Sequence, residues 1–196
     1  MKTVVLAFAT ILLLLTGCAK QVPVVQKLAH LPAGGNCKIA VLPFFNESSY
    51  SQGAAIVGAV FFSETVTTGH FQVAQAGDVR ELYRQLLIYP NQLTSREQLR
   101  MIGGRLHADL LVRATIQKMD ERKNGIFTET ELTVIVHLFD GKSGRLLWVT
   151  YHHRLGSEYQ KVMHMGRINT ITALARRMSR EILTDWFKQG MAPCTE

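Results

Sequence analysis

The chain has 196 residues, of which 47% are hydrophobic and 19% charged, with a formal net charge of +7. That length suits one domain with a substantial core and is short for two. The basic balance favours anionic partners such as lipid head groups, acidic glycans or nucleic acid, although a solvated basic face accounts for the same charge. The three cysteines lack the CxxC spacing of a metal or redox site.

Lys2, the apolar run Val4 to Leu15 and the small residues before Cys18 read as a signal peptide over residues 1–17, too short to span a bilayer as a helix. Leu15-Thr16-Gly17-Cys18 resembles the lipobox of bacterial lipoproteins. The resemblance implies that Cys18 becomes the mature N-terminus and carries covalent lipid, palmitate included. It also implies, with Ala19 next in line, retention at the periplasmic face of the outer membrane, a location that argues against nucleic acid. Residues 18–36 contain Pro23, Pro32, Gly34 and Gly35 with no sustained period and read as a flexible tether spanning about 25 Å as a coil. A single periplasmic domain is then expected over residues 37–196. Cys37 and Cys194 bracket it, and the periplasm permits disulfides. Two readings stay open for them: a bridge worth roughly 3–5 kcal/mol through the unfolded state, or two separate thiols.

Lys38 to Phe44 is a short apolar run ending at Pro43 and predicts a buried strand. Ala54 to Val66 suits a helix laid on a sheet, and Phe71 to Ala74 a short strand. Val79, Leu82, Tyr83, Leu86 and Leu87 are spaced as a helix face, with Asp78 as the expected N-cap. Thr94-Ser95-Arg96-Glu97 fits a capping box, followed by the stripe Leu99, Ile102, Leu106. Gly103-Gly104 inside that helix reads as a close-packing point. Asp109 to Ile116 predicts a strand. Glu131 to Asp140 alternates with period two, Gly141 to Gly144 is a turn and Arg145 to His153 returns, so an antiparallel hairpin is expected. From Glu158 to Lys188, Ile168, Ile171, Ala175, Met178, Ile182 and Trp186 recur at three and four, predicting a long amphipathic helix with Arg176, Arg177 and Arg180 on another face. The fold class that follows is α/β: a mixed sheet with a C-terminal antiparallel hairpin, flanked by helices.

Three segments in this order carry a further resemblance: Ile39-Ala40-Val41-Leu42-Pro43-Phe44-Phe45-Asn46, Ala108-Asp109-Leu110-Leu111-Val112, and Leu138-Phe139-Asp140-Gly141-Lys142-Ser143-Gly144-Arg145-Leu146-Leu147-Trp148. With the lipobox they resemble the curli-transport (CsgG-like) and TolB N-terminal-like group of outer-membrane lipoproteins over most of residues 38–188. The chain is nearest in size to the polysaccharide-export member. It lacks the extra alternating segments of a transmembrane barrel and the long Pro-rich tether of the member that activates a peptidoglycan synthase. The resemblance implies a non-catalytic assembly or interaction component of an export or secretion system in the envelope, or alternatively a regulatory lipoprotein acting on a peptidoglycan synthase.

The residues point the same way. The seven histidines share no ligand spacing, and His152-His153 fall on opposite faces of a strand, so no metal and no cofactor beyond the lipid is expected. There is no GxSxG, HExxH or phosphate-cradling Gly-rich loop, and Asp109, Asp120, Glu129 and Glu131 read as solvated or capping groups rather than an acid-base pair. Trp148 is a candidate membrane-interface or partner contact, with core packing as the plainer reading. Arg176, Arg177 and Arg180 are candidates for lipid phosphate, anionic glycan or a neighbouring subunit, and Glu129 and Glu131 for a complementary acidic surface. Self-association or envelope protein partners are expected.

Overall fold

Period-two patterning in the second half of the chain builds most of the sheet. Strands β5 (Leu110–Asn124), β6 (Phe127–Asp140) and β7 (Leu146–Leu155) form an antiparallel meander. The computed structural model describes residues 22–32, 38–89, 91–162 and 165–191. Within them β1 (Val24–Lys27) lies antiparallel to the outer edge of β7. On the other side β2 (Lys38–Val41) runs parallel to β5 and carries β4 (Gln72–Val73) at the far edge, and the two-residue β3 (Phe45–Asn46) pairs further along β5. The order is β1-β7-β6-β5-β2-β4, a mixed seven-stranded sheet. Among the described residues four α-helices flank it: α1 (Gly53–Thr67), α2 (Ala76–Gln85), α3 (Arg96–Leu106) and α4 (Ile171–Lys188). This is the expected mixed α/β architecture, with the C-terminal hairpin and closing helix in place.

Alternation along β5 and β6 sends Leu110, Val112, Ala114 and Ile116, with Leu132, Val134, Val136 and Leu138, to one face, where α1 and α4 close the larger core. Trp186 is its centre: fully buried, edge-on to Phe61 at 6.1 Å, its indole N–H donating to Thr150 Oγ1 at 2.7 Å. Aromatic burial of this kind stabilises by about 1.5–3 kcal/mol per side chain before geometry is counted. The opposite face holds a smaller core, where Val79, Leu82, Leu99 and Ile102 of α2 and α3 meet Ala40, Leu111 and Phe139. Gly103 is the close-packing point expected there: a Cβ on it would run into the carbonyl oxygen of Gly141, itself pressed against Ala108 with its N–H bonded to Asp109 O at 2.8 Å. Gly104 has open space around it.

Several expectations are corrected. Residues 24–27, placed in the tether, are a strand, because the edge of β7 offers four residues of ladder to an extended segment. Strand β5 continues past Ile116 to Asn124, bulging between Ile116 and Lys118 and turning at Gly125 with φ +62° into β6. Helix α2 begins two residues before Asp78, after Gln75, so Asp78 sits in the first turn, where its charge suits the helix dipole. The capping box is present one residue later than expected: Ser95 accepts from the Gln98 N–H and Gln98 returns a bond to the Ser95 N–H, while Thr94 is buried against the Tyr83 hydroxyl. The closing helix starts only at Ile171, capped by Thr170; Gly156–Tyr159 is a short 3-10 turn. Ile168 stays outside because its carbonyl accepts from Thr130 and its N–H bonds back to Gly156.

Candidate interaction surface

The two sheet faces are covered unequally. Helices α2 and α3 reach as far as Leu111 of β5 and Phe139 of β6. The next residues on that same face are Arg113 and Thr115 of β5, His137 and Ile135 of β6, Val149 and Tyr151 of β7, and Gln26 and Val24 of β1, matched row by row through the register. No helix among the described residues lies over the outer row, where Tyr151 is 45% exposed and Val24 63%; the inner row is half-buried or exposed, with Arg113 within electrostatic reach of Tyr83 of α2. The face is part apolar and part cationic. Its rim holds a hollow where Thr94 and Leu99 approach Phe139, Leu146 and Leu28.

On the covered face charge is handled differently. Thr150, His152 and Arg154 alternate inward along β7, under α4. One Glu181 oxygen, Oε2, accepts from His152 Nε2 at 2.8 Å, Tyr159 Oη at 2.9 Å and Arg154 Nε at 3.2 Å, while Arg177 Nε donates to the other at 3.1 Å. Burial would raise the Glu181 carboxyl, but hydrogen bonds from His152 and Tyr159 and the charge of Arg154 outweigh it and bring its pKa down to about 2. Burial also works against the Arg154 cation, yet Glu158, Tyr159 and Glu181 hold it above the usual guanidinium range, and burial with Glu181 pushes the Tyr159 hydroxyl up. This is a closed ion network, with its donors and acceptors matched.

The sequence-derived candidates fall in four places. Cys18, Cys37 and Cys194 lie outside the described residues. Trp148 is corrected: at 2% exposure it packs inward beside Leu138, with the Lys27 ammonium 5.2 Å from its ring centroid, so the alternation of β7 puts its indole in the core rather than at an interface. Arg176, Arg177 and Arg180 stay at the surface but bond within the domain: Arg176 and Arg180 hold the buried Glu64, at 3.3 and 2.6 Å, and Arg177 holds Glu181. Glu129 is taken up by Arg167 and Ser157, and Glu131 by Lys118 at 2.7 Å. None of these acids faces an arginine of the trio. Among the described residues no cluster of three His, Cys, Asp or Glu side chains can hold a metal, and no helix is long and apolar enough to cross a membrane.

Sequence reasoning missed two groups. Glu181 was concealed within a helix read for its apolar stripe and its arginines. Arg113 is the one charge in the mostly apolar run Leu110 to Ile116, which is the signal that would have found it.

No family model matches the chain, and no curated protein does. Among solved structures, the PelC dodecamer from Paraburkholderia phytofirmans is similar at a TM-score of 0.55 and 14% identity, covering 83% of this chain and 95% of that one. Lipoprotein GNA1162 from Neisseria meningitidis is similar at 0.54 and 15%, covering 78% and 99%. The LpoB C-terminal domain from Salmonella enterica matches more loosely, at 0.47 and 13%, over 61% and 83%. At these identities the likeness to the first two is one of fold: the chain folds as PelC and the lipoprotein GNA1162 do.

Proposed function

We propose that the chain is a non-catalytic lipoprotein, held at the periplasmic face of the outer membrane by lipid on Cys18, and that it works as a self-associating assembly component of an envelope export or secretion system. The observation that carries this reading is the open half of the sheet. A row of Ile135, Tyr151 and Val24 beside the row that holds Arg113 has no helix above it among the described residues, and exposed surface of that composition is completed by another protein. PelC, which shares the fold, forms a dodecamer, and GNA1162 is a lipoprotein; both support the reading. The half-buried Glu129 and Glu181 are both engaged in ion pairs with neighbouring cations, which supports a binding role over a catalytic one.

The alternative, a regulator reaching across the periplasm to a peptidoglycan synthase, loses ground through β1. With Val24 fixed in the sheet, the stretch from Cys18 to Val24 reaches only about 20 Å even fully extended, so an anchored domain works close to its membrane.

Membrane fractionation of wild type and Cys18→Ser, with sedimentation of wild type and Tyr151→Glu in detergent, tests both halves. Cys18→Ser is expected to leave the membrane fraction or stall in processing. Wild type is expected to sediment as an oligomer and Tyr151→Glu to raise the dissociation constant at least about tenfold, the effect of one charge placed in an interface. Mature Cys18→Ser still on the membrane defeats the anchor, and a wild type that stays monomeric well above cellular concentration defeats the assembly role.

A further inference from the structure

Arg113 is the most demanding group on the open face. It sits near the start of β5, directly opposite His137 of β6. Its guanidinium lies over the Phe139 ring, with Cζ 5.4 Å from the centroid, and the His137 ring stacks on the same phenyl at 6.1 Å. Arg113 Nε and Nη1 and His137 Nδ1 are shut off from solvent, yet none has a hydrogen-bond partner among the described residues. Two other deeply placed arginines do have carboxylates: Arg154 meets Glu158 and Glu181, and Arg167 meets Glu129. A guanidinium partly withdrawn from water with no anion opposes folding, and an apolar residue in its place would do better in the isolated domain.

We infer that Arg113 and His137 form a carboxylate-binding site, filled by an Asp or Glu side chain of a partner protein docked on the open sheet face. The inference rests on reading that face as an interface. The guanidinium is planar and braced by a phenyl ring, and its fork of N–H donors matches a planar carboxylate in shape and charge once the enclosed nitrogens turn outward to meet it. His137 adds a hydrogen-bonding nitrogen without a second charge, since burial and the neighbouring Arg113 hold it below the usual imidazole range. A phosphate dianion calls for more positive charge than this. The half-buried Ile135 and Val149 and the exposed Tyr151 around the pair suit a protein segment better than a polysaccharide.

The test titrates the detergent-solubilised protein with sodium acetate against sodium chloride at constant ionic strength, following Tm and the Arg113 side-chain Nε–H resonance. A rise of about 2 °C at about 200 mM acetate is expected for weak single-site binding, with a saturable shift of that resonance. Both should vanish in Arg113→Met, which melts at or above wild type in chloride, and Arg113→Lys, which keeps the charge without the fork, should lose most of the acetate response. Acetate acting no differently from chloride overturns the site, as does inorganic phosphate stabilising more than acetate. An Arg113→Met that melts several degrees lower in chloride assigns the arginine a structural role and overturns it too. Loss of the oligomer in Arg113→Met supports a second copy as the partner, and an unchanged oligomer in Arg113→Met, with wild type responding to acetate and the variant not, supports a different protein. A monomeric wild type that still responds to acetate sinks self-association without touching the site; an oligomer without the response does the reverse.

Discussion

Arg154 and Arg113 stand on opposite faces of the same sheet, and the contrast between them separates what the domain finishes by itself from what it leaves undone. Arg154, at 4% exposure, is enclosed by Glu181, Glu158 and the ring of Tyr159. Arg113 has a phenyl ring beneath it and no carboxylate. The covered face tolerates charge at depth because every cation arrives with its anion; the open face holds a charge without one. Buried ion pairs add little net stability, but breaking one by removing a partner costs several kcal/mol. The two faces should therefore respond to substitution with opposite sensitivity.

Trp186→Ala should do the most damage, since it empties the centre of the larger core and strips Thr150 of its donor. A loss of about 3–5 kcal/mol is expected, measured by urea unfolding. Glu181→Gln should follow, at about 2 kcal/mol, because Arg154 then keeps only Glu158 as an anion and His152 and Tyr159 face a neutral acceptor. It also sharpens the comparison through pH. The folded carboxyl titrates near 2 against an ordinary value of 4.5, so its contribution is complete above pH 4.5 and is lost as pH falls toward 2. Wild type should show that decline in urea midpoint, and Glu181→Gln should lack this component of it. Smallest is Tyr151→Ala on the open face, where a change within about 1 kcal/mol is expected; a loss as large as that at Trp186 would mean that the open face is part of the core and would break the contrast.

The hairpin β6–β7 was legible because alternation over many residues leaves one consistent choice of inward face, and the inward stripe of α4 was legible for the same reason at period 3.6. Strand β1 was not. Val24-Val25-Gln26-Lys27 is too short to carry a period, and what makes it a strand is an edge of β7 more than a hundred residues away. The outer part of β5 was hidden by its charges: Lys118, Asp120, Glu121, Arg122 and Lys123 fell beyond the end expected for the strand at Ile116, yet pairing with β6 keeps them extended. The candidate site followed the same division. His152 and His153 were correctly put on opposite faces, but which face was covered depended on where α4 lies, and that is tertiary information. The arginine trio was visible as a group, but its partners Glu64 and Glu181 were not, because one comes from α1 and the other lies among the apolar residues of α4 itself.

Strand β1 also sets a clock. It is the first strand among the described residues, yet its place in the sheet does not exist until β7 has formed, so Val24 must wait for Tyr151. Closing so large a loop is slow compared with the neighbouring hairpins. The meander of β5, β6 and β7 is therefore expected to assemble first in refolding, with protection of the β1 amides arriving as a separate, later phase in pulsed hydrogen exchange. Until then the outer edge of β7 stands unpaired and sticky, the interval in which this chain is most open to joining the wrong strand.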